Sequence, residues 1–186
     1  MVKRIGIIVG SIREKSYSKS LAKAISGFFP KNTEINMIRI DDLPLFNPDL
    51  DQDVSLRPSS YDRFRREVKA QDALIIISPE YNRTIPAALK NAIEVGSRPM
   101  TDIVFNGKPT LIVTQSAGSM GGFGVNHHLR QALVFLNAIA MPQPEVYLSE
   151  IHKVIDKEGN LLRTDTTTFL QLVVTNFLAF ADRFMD

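Results

Sequence analysis

Three stretches of the chain are apolar without interruption: Ile5-Gly6-Ile7-Ile8-Val9, Ala73-Leu74-Ile75-Ile76-Ile77 and Thr110-Leu111-Ile112-Val113-Thr114. A strand covered on both faces reads this way, because neither set of alternate side chains meets water. Glu34 to Ile40 alternates more, as at the edge of a sheet, and Val146-Tyr147-Leu148 predicts a short fifth strand. Helical spacing fills the gaps. Leu21, Ala24, Ile25 and Phe28 share one helix face; so do Tyr61, Phe64 and Val68; so do Leu89, Ala92, Ile93 and Gly96, after Pro86 at an early helix position. Leu129, Ala132, Leu133 and Leu136 form a further stripe. A long C-terminal helix carries Phe169, Leu172, Val173, Phe177, Phe180 and Phe184, with Asp165 as its expected N-cap.

Strands and helices therefore alternate five times. That order specifies an α/β protein with right-handed crossovers. The expected architecture is a three-layer flavodoxin-like fold: a five-stranded parallel sheet in the order 2-1-3-4-5 with helices on both faces, as one domain over residues 1–186. Two insertions interrupt the rhythm. Pro44 to Ser60, with Pro44, Pro48, Pro58 and several aspartates, reads as a long loop. Val154 to Leu162 reads as a small hairpin turning at Lys157-Glu158-Gly159-Asn160.

Composition removes several classes of chemistry. The chain has no cysteine, which excludes disulfides, cysteine-ligated metals and thiolate nucleophiles. Its net charge of +2 gives no large basic surface for nucleic acid. No apolar stretch approaches the ~20 residues of a membrane span. The run after Met1-Val2-Lys3-Arg4 is too short for a signal peptide, so the cytoplasm is the expected compartment.

Ligands of open parallel sheets bind beyond the carboxyl ends of the strands, where strand order reverses. That geometry selects the segments after strands one, three and four. Gly10-Ser11-Ile12-Arg13-Glu14-Lys15-Ser16-Tyr17-Ser18-Lys19-Ser20 leaves the first strand and opens a helix. Gly10 allows a sharp turn. Ser11, Ser16, Ser18 and Ser20 supply hydroxyls, Arg13 a guanidinium, and the helix start free N–H groups with partial positive charge. This set suits a phosphate dianion; a serine-rich helix cap is the plainer reading. The segment is neither a P-loop nor a Gly-x-Gly-x-x-Gly turn. Ser78 to Glu94 is stiffened at Pro79 and Pro86 and offers Tyr81 and Asn82 to a flat heterocycle, or serves only as a strand-to-helix turn with Thr84 near its cap. Gln115 to Gly124 holds four glycines in seven positions, which lets backbone pass close to a ligand.

The pattern Gly10-Ser11-x-Arg13 with Ser16 and Ser18, then Pro79-Glu80-Tyr81-Asn82 and Leu89-Lys90-Asn91-Ala92-Ile93, resembles the NADPH-dependent FMN reductase family, in its chromate/quinone reductase and azoreductase-like branch. The resemblance spans nearly the whole chain. It implies that Ser11, Arg13, Ser16, Tyr17 and Ser18 hold the FMN phosphate, that Pro79, Glu80, Tyr81 and Asn82 border the isoalloxazine ring, and that Ser116 and Gly118 lie at its pyrimidine side. It implies NADPH or NADH as hydride donor and small acceptors: quinones, azo or nitro compounds, or metal oxyanions such as chromate. A single shared flavin face implies ping-pong kinetics. Relatives of this kind are homodimers or homotetramers, and Pro44–Ser60 and the helix Pro86–Arg98 are the expected contacts.

Because the cofactor carries the redox chemistry, no side chain is assigned as catalytic acid, base or nucleophile. Arg83 stands where it would meet a nicotinamide phosphate or merely water. His127 and His128 are adjacent and point to different helix faces, His152 is isolated, and no metal site is expected. Two competing readings remain: a flavodoxin-type electron carrier without its own reductase activity, and a flavin-free phosphate-binding or regulatory module. Carriers commonly have strongly acidic surfaces, unlike this chain.

Overall fold

A computed structural model describes residues 1–156 and 158–185. The apolar runs become β1 (Arg4–Val9), β3 (Ala73–Pro79) and β4 (Pro109–Gln115), with β2 (Glu34–Ile38) beside β1. All ladders are parallel and the order is β2-β1-β3-β4-β5, the expected topology. The fifth position is shared by two short strands. β5 (Ile139–Ala140) pairs with the start of β4, and β6 (Val146–Leu148) with its end. The sheet thus has six strands rather than five, since Met141 to Glu145 leaves the ladder between them.

The uninterrupted apolar runs have a direct cause. Ile5, Ile7 and Val9 of β1, Ile75 and Ile77 of β3, and Leu111 and Val113 of β4 pack into one core with α1 (Tyr17–Ser26) and α6 (Thr164–Ala181). Ile8, Leu74, Ile76 and Ile112 point the other way. They meet α3 (Ser59–Lys69), α4 (Ala87–Gly96) and α5 (Phe123–Phe135) in a second core around the fully buried Tyr61 and Phe64. Strand side chains alternate, so each three-residue stretch feeds both layers.

Four expectations need correction. Pro44–Ser60 is not all loop. Asn47 caps a short helix, α2 (Pro48–Gln52), by accepting from Asp49 N at 3.0 Å, and Pro48 sits where a missing N–H is harmless. The segment is clamped from beneath. Asn91 Nδ2 donates to Pro44 O (2.9 Å) and its Oδ1 accepts from Phe46 N (2.8 Å), while Tyr61 donates to Leu45 O (2.9 Å). Buried Arg65 grips both Asp51 oxygens at 2.7 and 2.8 Å. Second, Asp165 is not an N-cap: α6 follows Arg163, and the Asp165 carboxylate lies within the first turn, accepting from Thr166 N at 2.6 Å and from Arg163. The Arg163 contact above all pulls its carboxyl down to about 2. Third, α6 buries Leu170, Val173, Val174, Phe177 and Ala181; Leu172 faces solvent. Phe184 lies beyond the helix, edge-on to Phe180. The two stripes share Val173 and Phe177, so spacing alone does not fix the rotation of the helix. Fourth, Pro86 is the cap residue before α4 rather than part of it.

The hairpin at Val154–Leu162 forms through an Ile155–Leu161 bridge; Lys157, named for its turn, lies outside the described residues.

Removing one partner of a buried ion pair costs about 3–5 kcal/mol. Asp51→Ala should show that loss in urea unfolding at neutral pH. Hydrogen bonding from Arg65 holds the Asp51 carboxyl below its ordinary value. A carboxyl depressed in the fold stabilises it above the unfolded value of about 4, and that stabilisation fades as pH falls through the folded value. The difference between wild type and variant should therefore shrink in acid.

Candidate functional site

Beyond the carboxyl ends of β1, β3 and β4, three loops converge. The first starts at Gly10, whose N–H bonds Ile77 O at 2.8 Å. A Cβ here would lie 2.7 Å from Ser78 Oγ and 2.9 Å from Leu89 Cδ2. Close approach to β3 and α4, rather than an unusual turn, is what requires glycine. Ser16 then caps α1, its hydroxyl accepting from Lys19 N at 3.2 Å. Among the described residues, no N–H from Ser11 to Ser16 has a backbone acceptor. The first turn of α1 adds further free N–H groups. The loop is a concave array of donors with Arg13 at its rim.

The second loop leaves β3 at Pro79. Glu80 N donates to Gln115 O (3.1 Å), and Tyr81 and Thr84 exchange backbone bonds at 3.2 and 3.0 Å across a two-residue turn. Both turn residues have positive φ, Asn82 at 49° and Arg83 at 65°. Asparagine suits that conformation. Arg83 pays about 1 kcal/mol for it, so the surrounding contacts must hold the turn. The Glu80 carboxylate, 8% exposed, turns inward and accepts from Val125 N at 3.1 Å. It thereby caps α5, whose own cap residue Gly122 has no side chain to do so. Arg83 approaches the same carboxylate at 3.7 Å while remaining largely in solvent.

The third loop follows β4. Ser116 donates its hydroxyl to Gly118 O (2.9 Å), and Ser116 N and Glu150 N tie the loop to the segment after β6. Gly122 has φ of 84°, and a Cβ there would stand 2.8 Å from Thr114 Cβ. Gly118 differs: a Cβ on it would meet nothing within 4 Å. Ala117 N and Gly118 N have no backbone acceptor among the described residues.

These loops enclose a cleft of about 200 Å³. Ser11, Arg13, Ser16 and Tyr17 line it from the first, Pro79, Glu80 and Tyr81 from the second, and Ser116 from the third. Across it the Ser11 and Tyr81 hydroxyls are 3.4 Å apart. Four residues named from the sequence do not line it. Ser18 is fully buried and accepts from Gln115 Nε2 at 3.1 Å; Ser20 is half-buried farther along α1; Asn82 occupies the exposed turn; Gly118 is exposed and also outside the lining. Three lining residues were missed: Gln115, Ala117 and Ile151. Gln115 was legible in principle, as a long polar side chain ending a buried strand. Ile151 carried no signal, because it reaches the site only through the packing of the chain after β6. The histidines diverge as expected. His127 Nδ1 donates to Phe123 O at 2.9 Å, and His128 Nδ1 lies 2.7 Å from Thr84 Oγ1. No group of side chains suited to a metal ion occurs among the described residues.

A donor-rich turn at β1 suits a phosphate. The Tyr81 ring and the free N–H groups at Ala117 and Gly118 suit a planar ring with carbonyl oxygens. Set at the reversal of a 2-1-3-4-5 sheet, they define a flavodoxin-like mononucleotide-binding protein. The chain belongs to the NADPH-dependent FMN reductase family, whose model matches residues 3–153. It is accordingly an oxidoreductase with FMN as cofactor and a reduced nicotinamide as co-substrate. A quinone reductase of Pseudomonas putida is 42% identical over 180 residues, covering 97% of this chain and 91% of that protein. A 2-hydroxy-1,4-benzoquinone reductase of a Burkholderia species is 35% identical over 179 residues, 96% of each chain. Among solved structures, FerB, a flavoenzyme NAD(P)H:(acceptor) oxidoreductase from Paracoccus denitrificans, superposes with a TM-score of 0.89 at 30% identity over 98% of both chains.

The contrast between the two glycines is testable. Gly122→Ala should cost on the order of 1–2 kcal/mol, from its left-handed backbone and the Thr114 contact. Gly118→Ala should leave thermal stability of the apoprotein within about 0.5 kcal/mol.

Proposed function

We propose that the chain is an FMN-dependent NAD(P)H:quinone oxidoreductase working by a ping-pong cycle, with azo and nitro compounds and chromate as further acceptors. The observation that carries this reading is the joining of the donor-rich turn at Ser11–Ser16 and the Tyr81 shelf in one cleft. The names of the two quinone-reducing relatives support the acceptor class. The electron-carrier reading is not favoured, since the family is one of enzymes.

Each residue's task follows from its surroundings. Ser11, Arg13, Ser16 and the backbone N–H groups between them hold the phosphate. Hydrogen bonds to a charged group contribute about 1.5–3 kcal/mol each. Ser18 acts from beneath, through Gln115. Pro79 and Tyr81 border the ring. Glu80 fixes the Tyr81–Thr84 turn against α5. Asn82, Ser116, Ala117 and Gly118 offer polar groups to the ring's edge. Bound FMN supplies a carrier that accepts a hydride equivalent from the nicotinamide and passes two electrons to the acceptor. The enclosed volume lies below the ~300–1,000 Å³ usual for a whole small ligand, which supports a ring with one face left open to donor and acceptor in turn. A cytoplasmic setting, where reduced nicotinamides are generated, fits this chemistry.

The assembly we propose is a homodimer or homotetramer. A groove between α4 and α5, lined in part by Ile85, Ile93 and the exposed Phe135, begins beside the Thr84–His128 contact. The clamped segment Leu43–Arg57, tied to α4 through Asn91, shows Leu45, Val54 and Leu56 to solvent. A segment held this firmly with apolar side chains outward suits a partner surface.

Purified protein should show flavin absorbance that bleaches on anaerobic NADPH addition and returns with a quinone. A colourless protein that takes up no added FMN would refute the proposal and favour a flavin-free module. Arg13→Ala should raise the FMN Kd by about tenfold or more, read by fluorescence titration. Light scattering should give a mass at least twice that of one chain.

A further inference from the structure

The turn from Tyr81 to Thr84 is strained, and little holds it. Its two central residues, Asn82 and Arg83, both stand in the left-handed region. Asparagine tolerates that conformation and arginine does not favour it. Strain of this kind persists only where the surroundings impose it, and it gathers at ligand clamps. Among the described residues, the side chains from Tyr81 to Pro86 make two hydrogen bonds. One is the long Ser11–Tyr81 contact across the cleft, at 3.4 Å. The other joins Thr84 Oγ1 to His128 Nδ1 at 2.7 Å. The Arg83 guanidinium is 77% exposed, so water screens its approach to Glu80.

The spacing of residues on α5 supplies the partner. Gly124 and His128 are four residues apart, which places them on one helix face, one turn from each other. A Cβ on Gly124 would lie 2.7 Å from Arg83 O and 3.0 Å from Glu80 Oε2. The helix therefore presses on the turn where it carries no side chain, and one turn farther along His128 reaches Thr84. The adjacent His127 is engaged elsewhere, against the Phe123 ring and on Phe123 O. Glu80, through Val125 N, fixes the side of the turn next to β3; Thr84 fixes the side next to α4. The Thr84–His128 bond needs no particular protonation state, since a hydroxyl donates to a bare Nδ1 and accepts from a protonated one.

Thr84 and Tyr81 are paired backbone to backbone in both directions, so the position of one sets that of the other. We infer that His128 is a positioning residue for the flavin ring. Through Thr84 it holds the Asn82–Arg83 turn, and with it the Tyr81 ring and the Asn82 amide, at the height the isoalloxazine meets. The inference rests on the reading above that gives Tyr81 and Asn82 to that ring.

The test pairs two readouts on the full chain. Thr84→Val keeps the shape and removes the hydroxyl, Thr84→Ser keeps the hydroxyl, and His128→Ala removes the ring. In amide hydrogen exchange without flavin, Thr84→Val and His128→Ala should speed exchange of the Tyr81 and Thr84 N–H groups about tenfold. The Val125 N–H, held by Glu80, should exchange as in wild type. The FMN Kd, read by fluorescence titration, should rise about tenfold in both variants and return close to wild type in Thr84→Ser. The Thr84→Val, His128→Ala double variant should bind no more weakly than either alone, because all three lose the same bond. Inorganic phosphate, which meets only the turn after β1, should compete with FMN at unchanged affinity. A general loosening would free Val125 and weaken phosphate as well, and would overturn the inference. So would a Thr84→Val variant that exchanges and binds FMN as wild type does. Wild-type protein that takes up no FMN would remove the flavin reading and the ring role with it; the exchange pattern would still report separately whether His128 holds the turn.

Discussion

The site depends on how Gln115 closes β4. Its backbone carbonyl accepts from Glu80 N, which sets the height of the loop after β3. Its side-chain amide reaches the buried Ser18 hydroxyl, which fixes the first turn of α1. One residue thus joins the first turn of α1, the loop after β3 and the end of β4. The amide is almost fully buried, and a buried polar group without partners costs about 1–3 kcal/mol. The three loops are therefore held at one spacing by the same hydrogen bonds that satisfy it. Glu80 adds a second tie by capping α5, at whose start two glycines leave no side chain for the purpose.

The fold was legible because the sheet is covered on both sides. Ile75, Ile76 and Ile77 are all fully buried, so no polar residue is tolerated there and the strand announces itself. The rest was less legible for identifiable reasons. At α6 the polar and apolar residues do not separate cleanly, and Leu172 takes a place in the stripe that its exposure contradicts. The segment after Pro44 is rich in residues that signal turns, and its order comes from Asn91, Tyr61 and Arg65, which lie far along the sequence.

The site divides in the same way. Ser11, Arg13, Ser16 and Tyr81 were readable, because a polar cluster directly after a buried strand contributes little to the core and so points outward to a ligand. Ser18 belonged to the same cluster, yet its position on α1 turns it down into the protein. The glycines after β4 were read as room for a ligand. Gly121 and Gly122 make room for Tyr147 and Thr114 instead, and Gly118 alone stands beside open space.

The divided fifth position of the sheet has a consequence for solubility. An edge strand offers an unmatched row of backbone donors and acceptors to any other extended chain. Here that edge is broken into a two-residue and a three-residue piece with a departure between them. Neither piece is long enough to template a foreign strand. On this side, a sheet of nearly pure aliphatic residues is thereby kept from propagating into fibrous aggregates.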